Sequence, residues 1–208
     1  MAGIVAASER SVGWWAPDLV GQDSSDETLC RRVADGDEAA FDTLVARHQA
    51  RAYRLAWSLL RNAEDARDIS QEAFLRVYRT AATFRGDARF STWFHRIVVN
   101  LCLDHRRRGQ WWRRLVGGGP RPDGDDPIDA LPARSGDPTD DLARDQVMAR
   151  VWAALDGLPP QQRAALVLHV QEELPTREVA EILACSEATV RVHLHRAVRA
   201  LRKTLRRD

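Results

Sequence analysis

Two stretches of the chain combine residue types that can work on nucleic acid. The first, FRGDARFSTWFHRIVVNLCLDHRRR at 84–108, interleaves Phe84, Phe90, Trp93 and Phe94 with Arg85, Arg89, Arg96, Arg106, Arg107 and Arg108. Aromatic rings stack on unpaired bases and guanidinium groups track phosphates, so this mixture suits a single strand. Trp93 and Phe94 also open an amphipathic run, and at least one of them belongs to a core. Phe84 and Phe90, in a loop with Gly86, are harder to place there.

The second stretch lies near the C-terminus. A short helical segment at 175–183, the turn Ala184-Cys185-Ser186 and a basic helical segment at 187–205 describe a helix-turn-helix. Ala180 is small where two helices approach closely, Val190 points back into their angle, and Ser186 is a good N-cap. Ala184 departs from the glycine that a left-handed turn favours. With Val190, Leu194, Ala197, Val198 and Leu201 turned inward, Thr189, Arg191, His193, His195, Arg196 and Arg199 face outward. These can reach phosphates and base edges in a major groove. A plain solvated helix end accounts for Arg199 to Arg207, since basic residues there suit the macrodipole. It does not account for the spacing of Ala180, Ala184 and Val190.

The total charge hides both stretches. The chain has 208 residues and a formal net charge of +1, which by itself argues against a nucleic-acid binder. By segment, however, 85–114 carries eight Arg and two Asp, and 187–208 carries six Arg and one Lys against one Glu and one Asp. Between them, 115–145 carries eight Asp and three Arg. Two basic surfaces separated by an acidic stretch fit two nucleic-acid contacts. Lys203 is the single lysine, so the preference for Arg is a bias of the whole chain rather than a site-by-site choice.

The elements that must position these residues are helical. Leu29, Val33, Ala40, Phe41, Leu44 and Val45 keep a helical spacing, broken by Asp35-Gly36-Asp37, and Tyr53, Ala56, Trp57 and Leu60 continue it. A helix capped by Asn62 carries Ile69, Ala73, Val77 and Tyr78 inward. Ser91 is positioned to cap another, from Thr92 to about Arg108, with Trp93, Phe94, Ile97, Val98, Leu101 and Cys102 inward. After residue 140, Val147, Val151, Trp152 and Leu155 lead to a break at Gly157–Pro160 and a helix with Leu166, Val167 and Val170. No stretch alternates as a strand does. The expected fold is all-α: two small helical bundles joined by a flexible linker, the second containing the helix-turn-helix. The divisions are a disordered tail at 1–23, a bundle at 24–114, an acidic Gly/Pro-rich linker at 115–140 and a bundle at 141–208. Ten of the 21 Gly and Pro residues fall between Gly117 and Pro138, which is why that stretch reads as linker.

Other chemistries find little footing. Cys30, Cys102 and Cys185 form no CxxC pair, and neither Cys102 with His105 nor Cys185 with His193 and His195 offers four ligands for zinc. Gly117–Gly119 follows no strand, so it is no phosphate-cradling loop, and no nucleophile–base spacing stands out. The expectation is a protein that is not an enzyme, takes no cofactor or metal, has no signal peptide and works in the cytoplasm.

Four segments resemble the bacterial sigma factors of the extracytoplasmic-function type, which have only region 2 and region 4. They are GDEAAFDTLVARH at 36–48, DARDISQEAFLRVYR at 65–79, FRGDARFSTWFHRIVVN at 84–100, and LPPQQRAALVLH joined to LPTREVAEILACSEATVRVHLHRAVRALRK. The resemblance covers nearly all of 28–203 except the linker. It implies docking on core RNA polymerase through the β′ clamp helices, with Asp65, Asp68, Gln71, Glu72, Phe74 and Arg76 as candidates, and a contact of region 4 with the β flap. It implies melting of the minus-10 element by a DNA-binding set of Phe84, Arg85, Phe90, Trp93, Arg96, Asn100, Arg106 and Arg107, in which Phe84, Arg85, Phe90, Arg96 and Asn100 match the positions that capture a flipped non-template base. Asn100 is the most diagnostic of these, because an amide both donates and accepts at a base edge. The helix-turn-helix would read the minus-35 element in promoter DNA, and an anti-sigma factor is the implied regulator. The competing class is a stand-alone helix-turn-helix regulator of duplex operators, whose first domain would need an apolar sensor pocket in place of the aromatic–arginine loop. The acidic linker, finally, is positioned to screen the basic surfaces when polymerase is absent.

Overall fold

In the computed structural model, residues 24–116 and 138–205 are described, with side chains at 24–109 and 147–205. The proposed tail at 1–23 and most of the acidic linker lie outside them. The described residues form helices α1 (Asp26–Ala34), α2 (Glu38–Leu60), α3 (Ala63–Thr80), α4 (Phe90–Val116), α5 (Pro138–Asp156), α6 (Pro160–Val170), α7 (Thr176–Leu183) and α8 (Glu187–Leu205), with a 3-10 turn at Ala81–Thr83. No strand occurs among them.

Local chemistry sets most of the helix ends. The side chains of Ser25, Asp37 and Asn62 accept hydrogen bonds from the amides of Thr28, Ala40 and Asp65 and start α1, α2 and α3. Gly36, at φ 88, makes the turn between α1 and α2. Pro160 occupies the first turn of α6, where its missing N–H costs nothing. The start of α4 differs from expectation. The helix begins at Phe90, not Thr92, and its cap comes from another helix: Glu27 of α1 accepts the Phe90 amide at 2.9 Å. That bond also holds the Glu27 carboxyl below its ordinary pKa.

Helices α1–α4 form the first bundle, around Leu29, Leu44, Leu55, Val77, Phe90, Phe94 and Val98, none more than 2 % exposed. Helices α5–α8 form the second, around Ala164, Leu168, Val179, Ile182 and Val190. A linker alone does not join them. Helix α7 packs on α4 and α6 on α2, so the two cores run together as one contiguous cluster. This explains an oddity of α4. Phe94, Ile97, Val98 and Cys102 face the first bundle as the spacing predicts, yet Thr92, His95 and Val99 are buried too, because the second bundle covers them.

Candidate nucleic-acid interface

Burial on two sides leaves α4 a narrow outer strip. Arg96 and Asn100, one turn apart, are exposed, and Arg107 continues the line two turns on, 3.1 Å from Asp104. Arg85 and Arg89, in the loop that Gly86 bends at φ 78, are exposed at the head of the strip. Phe84 and Trp93 are half-buried with ring centroids 5.2 Å apart, which makes an aromatic ledge beside the arginines. An aromatic ledge, a nearby amide and flanking guanidinium groups can stack a base, read its edge and hold its phosphates.

Two members of the expected set belong elsewhere. Phe90 is fully buried: its ring stacks on Phe94 at 5.8 Å and lies 5.2 Å from His48, so it is core and cannot meet a base. Its spacing to Phe94 and Val98, four residues each, carries the signal of an inward stripe once the helix is extended to Phe90. Arg106 is half-buried, and its Nη1 donates to the Leu59 carbonyl at 2.9 Å, closing the end of α2.

On α3, Asp68, Gln71 and Arg76 are exposed, and Glu72 lies partly exposed 4.0 Å from Arg79. Asp65 is half-buried and meets His105 of α4 at 3.1 Å. Phe74 is a correction. At 7 % exposure, with its ring 5.0 Å from Phe94, it holds the bundle together and cannot dock on a partner. Tyr78, expected inward, is instead 47 % exposed on the edge of Phe41, and Leu75 beside it is 48 % exposed. The spacing placed Tyr78 on the inward face with Ile69, Ala73 and Val77, and Leu75, off that face, carried no signal of its own.

The helix-turn-helix forms as spaced. Val190 is fully buried and Ala180 nearly so, and Ser186 accepts the Thr189 amide at 3.1 Å. Ala184 takes the left-handed conformation, φ 51 and ψ 45, without glycine. On α8, His195, Arg196 and Arg199 are exposed. Arg191 is exposed and bound to Glu187 at 3.1 Å, while Glu187 also accepts from Thr176 at 2.6 Å. Thr189 is half-buried and its hydroxyl is bound to Ser186 at 2.8 Å, so its first role is the cap. His193 turns partly inward rather than facing out, and its Nδ1 is buried. Val192 and Val198 are 46 % and 37 % exposed, against the expectation that Val198 faces in. An exposed valine beside arginines can touch a thymine methyl.

Polar residues also lie where no sequence signal pointed, between the bundles. Glu172, just after α6, is 4 % exposed in its side chain and bonds to Arg51 of α2, with His95 of α4 at 3.5 Å. Burial pushes the Glu172 carboxyl up, but hydrogen bonds from His95, Arg51 and Gln171 outweigh it and hold the pKa down at about 2. Ser58 donates to Gln171 at 2.6 Å and Thr92 to Glu178 at 3.2 Å. Arg163, 1 % exposed, donates to the carbonyls of Leu155 at 3.0 Å and of Leu59 at 3.1 Å, and to Asp156 at 2.5 Å. The Arg61 guanidinium lies over Trp57 and Trp152, 4.0 and 4.6 Å from the ring centroids. Partners such as Arg51 and Glu172 are 121 residues apart, a distance at which periodicity says nothing.

Two family patterns match the chain: Sigma-70 region 2 over residues 44–113 and Sigma-70, region 4 over residues 148–201. The chain is 34% identical over 189 residues to RNA polymerase sigma-H factor of Pseudomonas aeruginosa, covering 86% of this chain and 93% of that one. It is 38% identical over 187 residues to ECF RNA polymerase sigma factor SigE of Mycolicibacterium smegmatis, covering 87% and 69%, and 32% identical over 187 residues to ECF RNA polymerase sigma-E factor of Escherichia coli K12, covering 85% and 92%. Among solved structures, CnrH in complex with the cytosolic domain of CnrY superimposes with a TM-score of 0.64 at 25% identity, covering 89% of this chain and 99% of that one. The sigma factor RpoE with the anti-sigma factor NepR from Bartonella quintana shares the fold, with a TM-score of 0.62 at 21% identity, covering 81% and 98%.

Proposed function

The chain belongs to the sigma-70 family as a sigma factor of the extracytoplasmic-function type, and on that premise we propose which of its surfaces carries each step of promoter-specific initiation with core RNA polymerase. The bundle at 24–114 is region 2 and the bundle at 141–208 is region 4. The outer face of α3, with Asp68, Gln71, Glu72, Leu75, Arg76 and Tyr78, docks on the polymerase: two exposed apolar side chains inside a polar frame are the composition of a protein interface. The ledge of Phe84 and Trp93 receives a flipped minus-10 base, Asn100 reads its edge, and Arg85, Arg89, Arg96 and Arg107 hold the strand. Arg191, Val192, His195, Arg196 and Arg199 read the minus-35 duplex.

The observation that carries this reading is the strip on α4. A helix buried on two sides keeps an amide and an arginine exposed one turn apart, beside two half-buried rings. The protein recognises rather than catalyses, and it works where the polymerase is, in the cytoplasm. Among the described residues no helix is long and apolar enough to cross a membrane. An anti-sigma protein joins polymerase and promoter DNA as a partner, as NepR does for RpoE of Bartonella quintana. In vitro transcription with core enzyme and a randomised promoter library tests the proposal: transcripts should start downstream of two spaced elements, and an absence of sequence-selected starts overturns it.

A further inference from the structure

Helix α1 carries none of the DNA surface assigned above, yet its first turn is tied to two other helices. Asp26 accepts from Arg47 of α2 at 2.8 Å and lies 2.7 Å from Nε2 of His48, and Arg47 also donates to the Ser24 carbonyl at 2.8 Å. The next residue, Glu27, reaches α4 instead and accepts the Phe90 amide at 2.9 Å. The Arg89 carbonyl accepts from the Trp93 amide at 3.2 Å, so α4 starts where the loop 84–89 ends, and the Phe90 amide is one of the first-turn donors that a helix leaves unpaired. At the other end of the loop, the Phe84 amide donates to the Ala81 carbonyl at 3.0 Å, in a 3-10 turn that also packs on α1. Nothing packs over the bend between. Arg85, Gly86 and Asp87 are exposed, and a Cβ on Gly86 would meet no atom within 4 Å. The loop therefore takes its shape from its ends, and α1 holds both.

We propose that Glu27 is a positioning residue for promoter melting: through the Phe90 amide its carboxylate fixes the end of the 84–89 loop, and so holds the aromatic ledge and Arg89 in the arrangement that captures the minus-10 base. The inference rests on the reading of Phe84 and Trp93 as that ledge, and extends it to a residue outside the DNA surface. Phe84 belongs to the loop and Trp93 to the first turn of α4, so the two rings stay 5.2 Å apart only while loop and helix keep one arrangement. Glu27 stands at their junction. A carboxylate suits the task, because it accepts from a backbone N–H more strongly than a neutral oxygen does and it opposes the positive end of α4. Without that acceptor the loop samples other shapes, and affinity for an unpaired base falls with the fraction of chains that keep the ledge.

The test compares Glu27→Ala, Glu27→Gln, which keeps an acceptor oxygen, and Asp37→Ala, which removes a cap from α2 rather than α4. In the free, full chain, hydrogen exchange at 84–90 should speed up in Glu27→Ala and in neither of the others. With core polymerase and a forked promoter whose minus-10 non-template strand is unpaired, Glu27→Ala should bind about fivefold more weakly, on the scale of one lost cap. It should also lose its preference among the bases at the flipped position, with binding to minus-35 duplex unchanged. Glu27→Gln and Asp37→Ala should keep that preference, whereas a general loss of stability would weaken it in Glu27→Ala and Asp37→Ala alike. Unchanged exchange in Glu27→Ala, or a base preference retained in it, overturns the inference and leaves the ledge standing. A wild-type chain with no base preference overturns the ledge and this inference with it. Should Glu27→Ala fail to fold, Glu27→Asp, which keeps the charge but draws the oxygens back by one methylene, gives the same decision.

Discussion

Asn100 is useful because of what surrounds it. A lone amide on a solvated helix spends its hydrogen bonds on water, but here the same helix is buried on two sides, and the exposed strip narrows to Arg96, Asn100 and the ledge of Phe84 and Trp93. Asn100→Ala should abolish open-complex formation, followed by permanganate footprinting, while leaving core polymerase binding intact. Loss of core binding instead would mean that α4, not α3, carries the docking. Phe90 makes the contrast. Its truncation to Ala should lower stability by about 3–5 kcal/mol, measured by denaturant unfolding, because it empties the middle of the first bundle. A Phe90→Ala chain with wild-type stability and a selective loss of promoter melting would return that ring to the DNA surface. Glu172 adds a pH dependence. Its carboxyl is held down at about 2 from an ordinary 4.5, so its contribution to stability is complete above 4.5 and is lost as pH falls toward 2. On the order of 3 kcal/mol rides on that shift. Denaturant unfolding across that range should show the wild-type chain losing stability as pH falls, and Glu172→Gln, with no carboxyl to titrate there, losing less.

At the scale of elements, the helices divide by where their end signals come from. Helices α1, α2 and α3 are capped by the side chain just ahead of them, and α8 by Ser186, so local spacing finds them. Helix α4 takes its cap from Glu27, 63 residues away, and its start is therefore invisible locally. Ser91 satisfied the rules for an N-cap but lost to a carboxylate supplied by tertiary packing. The turn of the helix-turn-helix shows the opposite balance. Ala184 occupies a left-handed position that glycine would fill at less cost, and the packing of Ala180 and Val190 holds it there. Ala184→Gly should stabilise the chain by about 1 kcal/mol in thermal or denaturant unfolding with minus-35 binding retained. A destabilised variant would show that the alanine methyl packs rather than strains.

Considered whole, the molecule is two sequence-legible units in one tertiary arrangement. The all-helical class, the helix-turn-helix and the two basic surfaces follow from short-range spacing, because a helix repeats every 3.6 residues and a turn closes within a few. The order of four motif segments along the chain carried the family as well. The exposed residues of the candidate sites were legible in part. Arg96, Asn100, Arg191 and Arg196 stand outside as their spacing required. Phe74, Phe90 and Arg106 turned in, and Tyr78 turned out, since a helix with two possible burial faces is resolved only by its neighbours. The packing of one bundle on the other, with Glu172 against Arg51 and Ser58 against Gln171, was decided by tertiary structure alone. Buried charges must find partners in space, and residues more than a hundred positions apart leave no period in the sequence by which to pair them.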